Sequence, residues 1–499
     1  MISALICVVI GAVVFVEKEM DAIVVGRPNP LTGQPSLNYR HADFDQDGLA
    51  DILLPDRVLL QRAGEFPAAL SVPLPLPLDK PEYDVFDNKL YLRTGDRLEI
   101  HRLNGMTWER ILGQNIAWPD LLPDENEPPG EMDAEKTHGT LGRYLYDLSG
   151  NGVPEIVVPA IEGLHVYANE GRGYTAKHVI DVYPSPKVIF PERTLVWPPE
   201  ARAITFPPTR LRFRLFLDGN SITVISRSAG LGSLIRRHTS SWLFDVERGY
   251  LPRDGGLAAS VTAPIPAYLQ PCRLNADSTP DFAGVRTYIS ENSLVPEQIQ
   301  ELVLTTDGGK TLQSFRSKSF QTLCVFVDFD GDGDLDAVVE STGLYKGGLR
   351  EFLTRSLSER TLPHTIAIHL QDAQGRFSKT PDLLKKLSIK LAQPPFRDGP
   401  LFTEYQNGGL VNITGDLNGD RKRDLVVRTH PDRLSIYLNE NLAFPKAPSR
   451  TLDIAPDARF GVADVDGDAL SDIIIYREAS LEAGTSRHTI VHFSRRTAP

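Results

Sequence analysis

The sequence predicts an all-β fold, a β-propeller of eight blades with seven as the alternative, carrying one or two short inserted helices. Three observations lead there. An acidic nine-residue loop followed by a short β-branched strand recurs five times in the 499 residues. The closest recurrences are about fifty residues apart, the length of four short strands with their turns. The 39 glycines and 38 prolines punctuate the chain as turns and short strands require.

The first loop reads Asp43-Phe44-Asp45-Gln46-Asp47-Gly48-Leu49-Ala50-Asp51, followed by Ile52-Leu53-Leu54. Oxygen-bearing side chains stand at loop positions 1, 3, 5 and 9, here Asp43, Asp45, Asp47 and Asp51. The second copy supplies Asp147, Ser149, Asn151 and Glu155, the set poorest in carboxylates. The third supplies Asp328, Asp330, Asp332 and Asp336; the fourth Asp416, Asn418, Asp420 and Asp424; the fifth Asp464, Asp466, Asp468 and Asp472. Position 7 offers a main-chain carbonyl, from Leu49, Val153, Asp334, Lys422 and Leu470 in turn. In a tightly curled loop, alternate residues converge on one centre. Calcium takes six to eight hard oxygen ligands at about 2.3–2.6 Å, which four side chains, one carbonyl and a water satisfy. Glycine at position 6 (Gly48, Gly152, Gly333) permits the sharp turn, although Arg421 and Ala469 stand there in two copies.

An EF-hand begins similarly but needs a bidentate Glu at position 12 and flanking helices. Position 12 here is Leu54, Val158, Val339, Val427 or Ile475, all apolar and all within β-type runs, so that reading fails in every copy. The competing reading is a set of acidic turns without metal. Five copies with the same oxygen positions favour a cation, because carboxylates packed within a few ångströms repel one another. The expectation is four or five structural Ca2+ sites. In a weaker sixth copy, residues 273–281, Arg273 occupies position 1 and is expected to pair with Asp277 or Asp281 in place of metal.

These loops resemble FG-GAP or VCBS repeats, the units of the integrin α-subunit head and of many secreted bacterial propellers. The resemblance rests on D-x-[DN]-x-D-x-x-x-D followed by an aliphatic strand, and it covers most of the chain after about residue 35. The Gly-Ala-Pro part of the motif is absent, and Phe460-Gly461 alone is similar to its start. The resemblance implies a propeller in which each loop joins the first two strands of a blade, with calcium as a structural ion. It does not imply integrin function.

Loop starts at 43, 147, 273, 328, 416 and 464 set the blade count. The span from 43 to 147 holds a further blade, legible as strands at 83–86, 89–93, 97–102 and 108–112. The span from 147 to 273 hides another, marked by a hairpin of 210–217 and 221–227 about Asp218-Gly219-Asn220. Between 328 and 416 an insertion is expected, with helical spacing over 349–362 and a second short helix over 381–391, Pro381 in its first turn. Only two strands remain after Asp472, so Asp21–Gly26 is expected to complete the last blade from the other end of the chain. The Pro-rich stretches 67–81, 118–129 and 184–208 read as linkers or rim loops, and Thr305–Leu312 resembles the Asp-box turn of other propellers.

Residues 1–16 are apolar except Ser3 and shorter than the roughly 20 residues that span a bilayer. The expectation is a signal peptide or a short anchor, with residues 17–499 as one calcium-binding propeller; a buried first strand is the alternative. That places the protein outside the cytoplasm, secreted, periplasmic or on the cell surface. Membrane contact then comes only through the N-terminal segment if it stays uncleaved. A net charge of −12 argues against nucleic acid as a partner. Cys7, Cys272 and Cys324 form no CxxC pair, and Cys272 and Cys324 read as two buried thiols rather than a disulfide.

The function this supports is a binding scaffold that offers a propeller face to a protein or glycan. Arg210, Arg212 and Arg214 alternate on one strand, with Arg236 and Arg237 nearby; an anionic glycan grip and a solvated outer face are the two readings, the second the plainer. The alternative is a secreted carbohydrate-active enzyme. The eleven histidines are scattered, with no HExxH, G-x-S-x-G or P-loop, and no catalytic residue is assigned.

Overall fold

The computed structural model describes residues 13–118, 144–180, 311–343, 361–390, 410–477 and 488–496 apart from short gaps in loops, and between 194 and 306 the strands and Leu274. Those residues form an all-β protein of antiparallel sheets in a multi-bladed, propeller-like arrangement. Six sheets have four strands each, and a seventh has seven. The large one arises from the 17-residue strand Thr311–Val327. Its first half pairs with Glu297–Thr306 and its second half with Asp336–Gly343, so one strand serves two sets of four. Two two-stranded pairings, Val25–Pro28 with Pro35–Leu37 and Thr194–Leu195 with Ile204–Thr205, lie outside these.

Each sheet of four or more strands is a meander of consecutive strands, except the last, which adds Val13–Glu19 from the other end of the chain. The first runs Arg40–Ala42, Asp51–Leu53, Arg57–Leu59, Ser71–Pro73, with the Asp43 loop between its first two strands. One of the two four-stranded sheets without an acidic loop runs Glu82–Phe86, Lys89–Thr94, Arg97–Asn104, Thr107–Asn115, as its short strands and Gly95 and Gly105 turns predict. The hairpin about residues 218–220 forms from Leu211–Asp218 and Ser221–Ser228.

The central strands bury both faces, which explains their unbroken apolar runs. Ile473 and Ile475 pack with Val426, Ile436 and Leu417 of the preceding sheet. Ile474 between them packs with Ile52, Leu54 and Phe66 of the chain's first sheet. The last sheet is thereby held between the preceding one and the first. Two hydrogen bonds join the first and last repeats: Gln61 Nε2 donates to the Asp466 carbonyl (2.8 Å), and His41 Nε2 lies 2.7 Å from the Val465 carbonyl.

The last sheet takes a strand from the N-terminal end, but not the expected one. Val13–Glu19 pairs with His488–Arg496 over seven residues. Of Asp21–Gly26, the described Val25 and Gly26 lie instead in Val25–Pro28, paired with Pro35–Leu37, because the chain turns after Glu19: Ile23 N donates to the Met20 carbonyl, and the Met20 and Ile23 side chains are buried beside Val491 and Phe493. Four residues of the strand, Val13–Val16, belong to the apolar segment read as a leader.

Two other expectations change. Residues 381–391 are not helical; Leu383–Lys390 is a strand paired with Thr361–His369, its burial alternating with period two. Leu383 and Leu387 fit either period, and the neighbouring strand decides. Most of 349–362 lies outside the described residues, while Thr361 and Leu362 open a strand. Cys272 ends the strand Gln270–Cys272 and Cys324 lies in the second half of Thr311–Val327, in different sets of four of the large sheet. Among the described residues no helix is long and apolar enough to cross a membrane.

One buried pair sets a pH dependence. Glu340 Oε2 lies 3.8 Å from His364 Nε2 on adjacent strands, both side chains nearly inaccessible. Burial pushes the Glu340 carboxyl up to about 8 and the His364 imidazole down to about 4. The raised glutamate favours folding at low pH and loses that contribution as pH rises to about 8. The lowered histidine favours folding above its ordinary value of 6.5 and loses that contribution as pH falls towards 4. From pH 4.5 to 6.5 the two oppose; from 6.5 to 8 glutamate acts alone and stability falls by roughly 2 kcal/mol. Glu340→Gln should abolish that fall in urea unfolding, matching the parent only below about pH 4.5 and exceeding it by a margin that grows up to pH 8. An equal decline in both proteins would refute this origin.

Candidate metal centres

All five acidic loops share one conformation, and main-chain hydrogen bonds explain why. The position-1 carboxylate curls the loop around itself: Asp43 accepts from Asp47 N and Gly48 N, both at 3.0 Å, and Asp147 accepts from Asn151 N and Gly152 N. Asp328, Asp416 and Asp464 accept loop amides likewise. Position 5 accepts the amide of position 7 in every copy: Asp47 from Leu49, Asn151 from Val153, Asp332 from Asp334, Asp420 from Lys422, Asp468 from Leu470, all at 2.8–2.9 Å. Backbone φ is positive at positions 4 and 6 of all five, including Gln46, Arg421 and Ala469.

Position 9 has a further role beyond the one read from sequence. Asp51 accepts from Phe44 N (2.8 Å) and Gln61 N (2.9 Å), tying its loop to the residues beyond the third strand. Asp336 binds Phe329 N and Gln371 N, Asp424 binds Leu417 N and Asn439 N, and Asp472 binds Val465 N and Ser494 N. Glu155 makes the first of these bonds, to Leu148 N. The apolar residue at position 2 is fully buried in each copy, plugging the core beneath the loop. Burial pushes the position-9 carboxyls up, to about 6 for Asp51, about 7 for Asp336 and Asp424, and well above the usual range for Asp472. Burial also raises Asp330, Asp464 and Asp466.

Three loops gather carboxylate oxygens within 4.8 Å of one another: Asp43, Asp45 and Asp51; Asp328, Asp330 and Asp332; Asp464, Asp466 and Asp472. These clusters are compatible with a divalent cation. A second observation tests the fit. Buried oxygens at position 3, namely Asp45 Oδ1, Ser149 Oγ and Asp466 Oδ1, have no hydrogen-bond partner. A buried oxygen without a partner costs about 1–3 kcal/mol, and a cation at the loop centre would satisfy it. The Asp416 loop shows neither sign among the described residues; Asn418 Oδ1 is engaged by Asp420 N, and Arg421, Lys422 and Arg423 follow. The structure therefore supports the carboxylate-poor Asp147 loop better than the Asp416 loop. Of the sixth copy, Arg273 and Asp277 lie outside the described residues, and the Leu274 carbonyl accepts from Gln371 Nε2 at 3.0 Å.

Neighbouring loops abut. A Cβ at Gly467 would stand 2.3 Å from the Ala50 methyl, and one at Gly331 2.9 Å from the Arg421 carbonyl, so these glycines at position 4 serve close approach as well as φ. The Asp328, Asp416 and Asp464 loops border one hollow of about 760 Å3, joined there by His41, Arg421 and Arg423. Position 4 was the readable signal that sequence reasoning passed over: glycine stands there in four of five copies, against three at position 6.

A family model for the FG-GAP-like repeat matches residues 416–475, spanning the fourth loop and the fifth. No curated protein matches the chain. Among solved structures, BBS1N in complex with ARL6DN, soaked with mercury, aligns over 97% of each chain at 9% identity and a TM-score of 0.30. An α-L-arabinanase of Penicillium chrysogenum complexed with arabinobiose aligns over 83% of this chain and 92% of that one, at 9% identity and 0.22. The V. cholerae biofilm matrix protein Bap1 aligns over 97% and 88%, at 11% identity and 0.19. Likenesses this distant carry no functional weight.

Proposed function

We propose that this chain is an eight-bladed β-propeller, closed where its first and last repeats meet, that holds its shape with calcium and acts as a binding scaffold outside the cytoplasm. Eight blades follow from counting the large sheet as two sets of four beside the six other sheets. The observation that carries the calcium reading is the pairing of convergent carboxylates with partnerless position-3 oxygens in the Asp43 and Asp464 loops. Oxygen-only donors on a curled loop suit calcium rather than zinc or copper. In this reading the residues at positions 1, 3, 5 and 9 and the position-7 carbonyl hold the ion, which supplies charge neutralisation and rigidity rather than chemistry.

The scaffold role is supported by stiff meander sheets that leave loops free to vary. The partner class is a protein or a glycan. A location outside the cytoplasm suits loops of this type, since extracellular calcium modules work at about 10⁻⁴–10⁻³ M.

Thermal unfolding in millimolar calcium and in excess chelator tests the reading. An ion bound only to the folded state adds about 2.7 kcal/mol per site at a hundredfold excess over Kd. Three sites should together lower the chelated melting point of a chain this long by about 8 °C, restored by calcium but not by magnesium. Superimposable melts would leave the loops as metal-free turns.

A further inference from the structure

The two loops that flank the junction of first and last repeats differ from the Asp328 loop in one respect. At each, an arginine caps the outer side of the acidic cluster. Arg62 Nη2 lies 2.5 Å from Asp45 Oδ2 and its Nη1 2.7 Å from Asp47 Oδ2. Arg495 Nη2 lies 2.5 Å from Asp466 Oδ2 and its Nη1 3.1 Å from Asp468 Oδ2. Both guanidinia bridge positions 3 and 5, and both donate to the carbonyl of the preceding residue, Gln61 or Ser494.

The match is not chance adjacency, because register fixes it. Gln61 and Ser494 are the residues whose amides bond the position-9 carboxylate, and each arginine comes next in sequence. The same step beyond Gln371, which braces Asp336, reaches Asp372; beyond Asn439, which braces Asp424, it reaches Glu440. Asp372 turns away to Arg376. A cation thus stands at this position in the first and last loops, and a carboxylate in the Asp328 and Asp416 loops. Among the described residues no arginine or lysine pairs with Asp330, Asp332 or Asp334, although that loop carries five carboxylates.

We infer that Arg62 and Arg495 are built-in counter-ions that keep the two junction loops folded without bound cation, whereas the Asp328 loop depends on it. The inference rests on the calcium reading above. The guanidinium takes the outer Oδ2 of the position-3 aspartate and leaves the inner Oδ1, buried and partnerless, to face the cluster. Arginine and ion therefore use different oxygens of one carboxylate. With the ion removed, the guanidinium still offsets repulsion between positions 3 and 5 at the junction; among the described residues no ion pair does so at the Asp328 loop, where Arg423 Nε donates to the Asp328 carbonyl instead. Calcium loss should loosen the interior of the repeat series before the place where the chain's ends meet.

Amide hydrogen exchange on the full chain, in calcium and in chelator, reads each loop separately. The expected result is a loss of protection of about tenfold or more across 329–336 on chelation, with 44–51 and 465–472 changed far less. The paired substitutions Arg62→Gln and Arg495→Gln should then make 44–51 and 465–472 as chelator-sensitive as 329–336, while protection in calcium stays near the parent's. Equal loss at all three loops of the parent, or variants weakened alike in calcium and chelator, overturns the counter-ion role alone. Indifference of all three parent loops to chelator overturns the calcium reading with it. Should the double variant fail to fold, the parent's loop-by-loop comparison still decides.

Discussion

Asp472→Ala lowers the unfolding free energy by about 3–5 kcal/mol even in chelator, an effect no ligand carboxylate of a purely metal-dependent loop would show. The side chain is fully buried and accepts Val465 N and Ser494 N, each at 2.8 Å. Alanine leaves two main-chain donors without partners and a void beneath the loop. It also frees the strand His488–Arg496, which pairs with the N-terminal strand, so the damage reaches the junction of the chain's ends. Asp468→Ala is the control. Asp468 is exposed and its hydrogen bonds lie within the loop or to Arg495, so its loss in chelator should stay near about 1 kcal/mol. Urea unfolding of both variants gives the comparison. A loss at Asp472 no larger than that at Asp468 would remove the brace from the account of this fold.

Removing residues 1–19 has the second large effect. The strand Val13–Glu19 covers one edge of His488–Arg496 from Ile490 to Arg496. Without it that edge offers unpaired amides and carbonyls beside Val491 and Phe493, a template for pairing with another chain. The truncated protein should melt more than about 10 °C lower and self-associate in sedimentation experiments, whereas removal of residues 1–12 should do neither. If the chain beginning at residue 20 melts like the longer one, Asp21–Gly26 can close the sheet after all.

Much of this was legible in the residues. The five loops stand where their carboxylate spacing puts them, each followed by a strand, and the blade hidden between the first two loops follows its turn glycines. What was not legible depends on neighbours. Gln46, Arg421 and Ala469 hold positive φ because the aspartate at position 1 binds amides on both sides of the turn, which no local propensity announces. The double role of position 9 needs the third strand in place before its amide can be bonded. Leu383–Lys390 reads equally well as helix until Thr361–His369 lies beside it. Residues 13–16 of the apolar segment are the first four of the strand Val13–Glu19, and an apolar run carries no mark of the strand it will join. Arg62 sits 15 and 17 residues from Asp47 and Asp45, and Arg495 sits 27 and 29 from Asp468 and Asp466, so only the folded sheet brings them together.

Native mass spectrometry of the intact chain from calcium-containing buffer is the most direct test, since it counts ions on each folded molecule. The loops of this structure predict three or more calcium ions per chain, lost together with chelator and regained on calcium addition. A folded charge-state distribution at the mass of the bare polypeptide, unchanged by millimolar calcium, would contradict them.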